Sequence, residues 1–108
     1  MAAVVNHQSQ AEKFLVSLAD NLMSFSEVEV DELPEGISIL TQQGEYLLHY
    51  HKTTDQIWVS SPLSGAHHFS YQQNYWLCTR TAFPLRTLLC KEFSLLGCHL
   101  QESVFLNA

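Results

Sequence analysis

Residues 37–60 read ISILTQQGEYLLHYHKTTDQIWVS. Apolar and polar positions alternate in this stretch with the period of two that marks half-buried strands. Ile37–Thr41 is one strand, and Gln42-Gln43-Gly44 is a turn. Glu45–His51 is the next, with Tyr46, Leu48 and Tyr50 on one face and Leu47, His49 and His51 on the other. After the loop Lys52–Asp55, the segment Gln56–Ser60 puts Ile57 and Val59 on one face and Gln56, Trp58 and Ser60 on the other. Connections this short join antiparallel neighbours, so the core of the protein is a meander.

The pattern continues on both sides. Upstream, EVEVDEL (Glu27–Leu33) alternates Val28, Val30 and Leu33 with acids, slipping phase near Asp31-Glu32, and Pro34-Glu35-Gly36 turns the chain. Downstream, Pro62 and Gly65 mark a turn before a strand over Ala66–Tyr71. Gln72–Asn74 turns again, and Tyr75–Thr79 is the sixth strand. The ends switch to helical spacing. Ala11, Phe14, Leu15, Leu18, Leu22 and Phe25 recur every three or four residues, predicting a helix over 9–25 with Ser9 as N-cap and Glu12 closing a capping box. Pro84 opens a second helix at its first position; Leu85, Leu88, Leu89, Phe93 and Leu96 form the stripe, and Gly97 ends it. Residues 1–8 read as a short tail. The last eleven residues read as an ordered tail anchored by Leu100, Val104, Phe105 and Leu106. The expected architecture is a single α+β domain over residues 1–108. It is a two-layer α-β sandwich, with two terminal helices packed on one face of an antiparallel sheet of about six strands and the other face left to solvent.

Composition excludes several classes. The chain has 108 residues, 46% of them hydrophobic, with two Trp, four Tyr and six Phe, enough for a core of its own. No apolar run approaches the roughly 18 residues of a membrane span. The formal net charge is −6, and residues 1–36 carry all of it: seven acids against Lys13. Phosphate binding needs a basic patch, so nucleic acid is excluded, and a cation or a basic protein surface is favoured. Cys78, Cys90 and Cys98 are odd in number and contain no CxxC, so they read as buried free thiols in a reducing compartment. MAAVVNHQSQ has no basic n-region and no arginine-rich stretch, so no secretory signal or transit peptide is read in it. No G-x-S-x-G, phosphate-cradling glycine loop or Cys/His signature supports catalysis.

Two constellations carry chemistry. The acidic band (Asp20, Glu27, Glu29 and Asp31) is expected on consecutive elements along one shared edge. Hard oxygen ligands suit hard or borderline divalent cations. With no caged spacing, such an edge binds metal weakly; the same band also serves as a plain solvated acidic face. The second is a face bearing His49, His51, Trp58 and one of the adjacent His67-His68 pair, in a chain with six His. Aromatics on an open sheet face suit a protein partner. An H-x-H pair also offers two imidazoles to zinc or copper, and surface histidines without a role fit the pattern as well.

The run Gln56-Ile57-Trp58-Val59-Ser60-Ser61-Pro62-Leu63-Ser64-Gly65 resembles the signature stretch of the frataxin family. The resemblance continues without a gap through Phe69 to Trp76 and into the second helix. Upstream it includes Tyr46-Leu47-Leu48-His49, and Ser17-Leu18-Ala19 within Ala11–Leu22. It implies the same helix-flanked sandwich. It also implies weak iron binding on an acidic ridge, and binding to the complex of cysteine desulfurase and iron–sulfur scaffold protein, whose cluster assembly it modulates. By position, the resemblance assigns metal to Glu12, Asp20, Glu27 and Glu29, with Asp31 and Glu32 continuing the ridge. It assigns partner contact to Gln56 and Trp58, joined on their face by Ser60, His49, His51 and His68. His49 stands in place of a usual Asn and His68 in place of a basic residue. Lys13, Met23 and Ser24 stand where carboxylates are common, which weakens the ridge or recentres it on Glu27–Glu32.

The leading expectation is therefore a non-enzymatic, iron-binding adaptor that regulates iron–sulfur cluster assembly. It is expected to be a monomer or an iron-dependent oligomer. The expected location is the bacterial cytoplasm, or the mitochondrial matrix where a presequence has been removed. Two alternatives stay open. One is a ferroxidase or iron storage and delivery protein using paired carboxylates (Fe2+ to Fe3+), and the other is a histidine-based metal-binding protein using His49 and His51.

Overall fold

The computed structural model describes residues 6–101. In chain order the elements are α1 (Gln8–Leu22), β1 (Glu29–Leu33), β2 (Gly36–Thr41), β3 (Gly44–His51), β4 (Gln56–Ser61), β5 (Gly65–Gln72), β6 (Tyr75–Cys78) and α2 (Leu85–Leu95). The six strands form one antiparallel sheet in sequence order, β1-β2-β3-β4-β5-β6. This is the expected two-layer α-β sandwich.

Register divides the sheet into two faces. Ile37 pairs with Leu48, which pairs with Val59, and Ile39 pairs with Tyr46. These residues, with Tyr50, Ile57, Phe69 and Trp76, form the floor of the core. Ala11, Phe14, Leu15, Leu18, Ala19 and Leu22 close it from α1, and Leu85, Leu89 and Phe93 from α2. Burying a side chain of this size is worth about 1.5–3 kcal/mol, so the helical stripes and the strand alternation specify each other. The opposite face carries Glu29, Asp31, Leu40, Leu47, His49, Trp58 and His68, and among the described residues no second layer covers it.

Several boundaries differ from the sequence reading. The helix starts at Gln8, so Ser9 is inside it, and the N-cap is His7, with no side-chain cap. A tether decides this: the His7 backbone N–H donates to Asp55 Oδ1 at 2.8 Å, and His7 Nδ1 lies 2.7 Å from Asp55 Oδ2. A loop 48 residues away thus fixes where α1 begins, and the Ser9–Glu12 capping box does not form. The helix ends at Leu22, not Phe25. Glu27 lies before β1 rather than in it. Pro84 is not the first helical residue: it is the N-cap in an extended conformation, bridged to Leu77, and α2 begins at Leu85. At the other end Gly97 adopts φ +86° as expected. Leu100 packs against the core, while the expected anchors Val104, Phe105 and Leu106 lie outside the described residues.

The signature turn is held by a buried carboxylate. Ser61 Oγ accepts the backbone N–H groups of Leu63 (3.0 Å) and Ser64 (3.1 Å), which folds the Ser61–Gly65 turn onto itself. The same hydroxyl donates to Glu92 Oε1 on α2 at 2.6 Å, and the Ser64 hydroxyl donates to Glu92 Oε2 at 2.5 Å. Tyr46 Oη completes the set, donating to Glu92 Oε1 at 2.6 Å. Glu92 is only 5% exposed, so these three donors stand in for its lost hydration. Elsewhere, Gly36 allows close packing of β2 on β3: a Cβ there would meet the Leu48 carbonyl oxygen at 2.5 Å.

Candidate functional site

Three adjacent strands build the aromatic centre of the open face. Trp58 on β4 lies between His49 on β3 and His68 on β5 in the cross-strand register. Its indole is sandwiched: the His51 ring stacks on one side at 3.9 Å between centroids and 9° between planes, and His68 on the other at 4.4 Å and 7°. His49 approaches edge-on at 5.8 Å. Trp58 Nε1 donates to Gln56 Oε1 at 2.9 Å, and His51 Nδ1 lies 2.8 Å from Thr54 Oγ1. These contacts hold the indole in one orientation. Ser60 stands exposed on the same face, beside the row of half-exposed apolar residues Leu40 and Leu47.

The sequence reading placed His49 and His51 as a possible chelating pair. Their ring centroids are 6.2 Å apart at an interplanar angle of 74°, and the ring that stacks on His51 belongs to Trp58. Among the described residues, no group of three or more His, Cys, Asp or Glu side chains is placed to hold a metal ion.

The acidic residues fall into separate places. Glu29 pairs with Leu40 and Asp31 with Ser38, so both point to the open face from the edge strand β1. Glu32 pairs with Ile37 and therefore faces the helix layer, where it lines a groove with Glu12 and Glu35. Asp20 is exposed on α1. Glu27 lies in the α1–β1 connection near the end of α2, where its charge, after burial, helps push the Cys98 thiol up. The expected single edge is therefore split into two pairs, Glu29 and Asp31 on the open face and Glu12 and Glu32 at the groove beside α1, with Asp20 and Glu27 in neither.

Two buried or half-buried polar networks escaped the sequence reading. One is the Glu92 cluster. The other joins Asp55 to His7 and to Tyr50, whose hydroxyl donates to Asp55 Oδ1 at 2.6 Å. Burial raises the Asp55 carboxyl, but the bonds from Tyr50 and His7 outweigh it and hold the group below its ordinary value. Burial, and then the Asp55 bond, push Tyr50 up to about 12. Tyr46 is driven up in the same way, by burial first and then by Glu92.

The sign follows from linkage. An unfolded tyrosine ionises near pH ~10, while the folded chain keeps both protons. Stability is full below pH ~10 and falls as pH rises toward about 12. Urea unfolding across pH 9–12 should show this decline, and Tyr50→Phe should flatten it. An equally steep decline in the variant would remove Tyr50 as its source.

Comparison with known proteins agrees with this architecture. The Frataxin-like domain family matches residues 3–97. The mitochondrial frataxin homologue of Saccharomyces cerevisiae is 30% identical over 93 residues, covering 80% of this chain and 53% of the relative. That of Schizosaccharomyces pombe is 36% identical over 58 residues, covering 52% of this chain and 37% of the relative. The chain spans about half or less of the length of these curated relatives. Among solved structures, frataxin from Psychromonas ingrahamii, of the CyaY protein family, superposes with a TM-score of 0.79 at 14% identity, over 91% of this chain and 98% of that one. A trimeric yeast frataxin, described in a ferrous complex, gives 0.75 at 23% identity over 89% of both chains. With six meander strands between two helices, the latched SSPLSG turn, and a family match over nearly its whole length, the chain belongs to the frataxin family.

Proposed function

We propose that this protein is an iron-binding adaptor that regulates iron–sulfur cluster assembly by binding a cysteine desulfurase–scaffold complex. The observation that carries the reading is one shared sheet face. Glu29 and Asp31 project from its β1 edge, and the Gln56-braced Trp58 stack sits at its centre. A partner with a basic rim and an apolar pocket meets both at once. Charge steers the encounter, and the rigid aromatic supplies the anchor. Regulation then needs only that the complex bind more tightly in one of its conformations, which shifts the population toward it.

The ferrous complex of the yeast relative supports iron as the cation. In this chain the metal is held weakly, as cargo or effector, by Glu29 and Asp31, with Glu12, Asp20, Glu27 and Glu32 adding field rather than a common shell. The compartment follows the partners: bacterial cytoplasm, or mitochondrial matrix after removal of a presequence. We take the protein to act as a monomer, with an iron-dependent oligomer as the alternative; the yeast relative described in a ferrous complex is trimeric.

Anaerobic Fe2+ titration tests the metal half. The double variant Glu29→Gln, Asp31→Gln should bind Fe2+ about tenfold more weakly, the equivalent of about 1.4 kcal/mol, with unchanged thermal stability. Equal affinity would exclude this pair. Catalytic oxygen consumption with Fe2+, lost in the same variant, would instead favour a ferroxidase.

A further inference from the structure

β6 ends at Cys78, and the segment Cys78–Phe83 closes on itself. The Cys78 N–H donates to the Phe83 carbonyl at 2.9 Å, and the Ala82 N–H donates to the Cys78 carbonyl at 2.8 Å. Ala82 completes the turn in the left-handed region, at φ +60°. Folded this way, the loop aims donors back at its own first side chain. The Cys78 sulfur accepts from the Thr81 hydroxyl and from the backbone N–H groups of Arg80 and Thr81. Burial raises the thiol, but these bonds and the Arg80 charge outweigh it and hold the group below its ordinary value. Cys98 shows the opposite behaviour: burial and the Glu27 charge push it up. Cys78 also lines a cavity of about 380 Å³ beside α2, with Phe69 and Phe83 as apolar walls and His67, Arg80 and Thr81 as polar lining. His67 Nε2 lies 2.8 Å from Ser64 Oγ, whose own proton goes to Glu92, so the imidazole donates there. Among the described residues, no Asp or Glu lines the cavity.

A thiol, an imidazole and a guanidinium thus share one cavity, and successive backbone donors converge on the sulfur. Such a cradle favours the thiolate, which is the nucleophilic form. The guanidinium offers a seat to an anionic reagent. Attack at an ester carbonyl or at phosphorus expels an oxygen that needs a proton from an acid. Attack on a sulfane sulfur expels a stable sulfur anion that needs none. A lining without a carboxyl group, whose imidazole is already engaged with Ser64, suits the second. We propose that Cys78 is a sulfur-acceptor site for small anionic sulfane-sulfur donors, with Arg80 holding the donor's anionic end. With thiosulfate the step balances. The Cys78 Sγ bonds to the outer sulfur, the sulfur–sulfur bond of thiosulfate breaks, and its electron pair leaves on sulfite. The thiolate charge passes to the new terminal sulfur of the persulfide, and no proton or further oxidant is consumed. This activity goes beyond the adaptor reading and does not depend on docking at the open sheet face.

Thiosulfate itself is the probe, incubated anaerobically with the reduced full chain and followed by sulfite release and by mass spectrometry of alkylated peptides. The Cys78 peptide should gain one sulfur atom at least about tenfold faster than the Cys90 and Cys98 peptides, with an equal amount of sulfite released. Dithiothreitol should then remove the added sulfur as sulfide. Arg80 is exposed, so its replacement leaves the core intact. Arg80→Ala should slow transfer from thiosulfate about tenfold at low donor concentration, and alkylation of Cys78 by uncharged iodoacetamide by no more than about threefold. Arg80→Lys should recover most of the lost rate. A Cys78 peptide that gains no sulfur, equal gain on all three cysteines, or equal slowing of both reagents in Arg80→Ala would each overturn the site. None of these readouts involves the desulfurase complex, so failure here and failure of the adaptor reading are told apart.

Discussion

Replacing Glu92 with alanine is expected to cost about 4 kcal/mol of folding free energy and to lower the melting temperature by about 15 °C. The carboxylate accepts from Tyr46, Ser61 and Ser64, and two of those donors, Tyr46 and Ser61, are buried. Truncation leaves their hydroxyls without an acceptor, at about 1–3 kcal/mol each, and opens a void between α2 and the sheet. It also frees the Ser61–Gly65 turn from α2. Tyr46→Phe removes one donor and leaves Glu92 with the other two, so its cost should be only about 1 kcal/mol. Urea denaturation of both variants makes the comparison. A Glu92→Ala protein within 1 kcal/mol of the parent would mean that the bonds from the Leu63 and Ser64 N–H groups to the Ser61 hydroxyl hold the turn without α2.

The second large effect falls on binding. Trp58→Ala should weaken association with a cysteine desulfurase–scaffold complex by about 30-fold, near 2 kcal/mol, as expected for a preorganised aromatic at the centre of an interface. Folding should change by no more than about 1 kcal/mol, because Trp58 is half-buried and lies on the sheet face opposite the two helices. The double variant His51→Ala, His68→Ala keeps the anchor and removes its two stacking partners, so it should lose less. Calorimetry with the purified complex would measure all three proteins. Equal affinity of Trp58→Ala and the parent would remove Trp58 from the interface.

The sheet was legible because strands of period two are separated by Pro, Gly, Asn and Gln turns. Each strand face could be assigned from that alternation, and Trp58, His49 and His68 do share the open face. The start of α1 was not legible. Ser9 and Glu12 satisfy a local rule, but the His7–Asp55 tether spans 48 residues and overrides it. The acidic band was only partly legible. Alternation put Glu29 and Asp31 together correctly, whereas Glu27 fell outside the strand and Glu32 faced the helix layer. Glu92 was missed although the sequence carries a hint. It is an acid three residues after Leu89 and next to Phe93, so it sits on the apolar stripe of α2, where a charge needs partners. Those partners come from 28 to 46 residues away, on β3 and in the β4–β5 turn, and only the fold brings them together.

On the proposed reading, the open face offers a charged flank for encounter and an aromatic centre for affinity. Whether they serve cluster assembly is decided most directly by the rate of sulfide release and cluster formation on a desulfurase–scaffold complex, measured with and without this protein at several Fe2+ concentrations. The account predicts a saturable change in rate, up or down, that is lost with Trp58→Ala. An unaltered rate at every Fe2+ concentration, with the protein still binding iron, would contradict it.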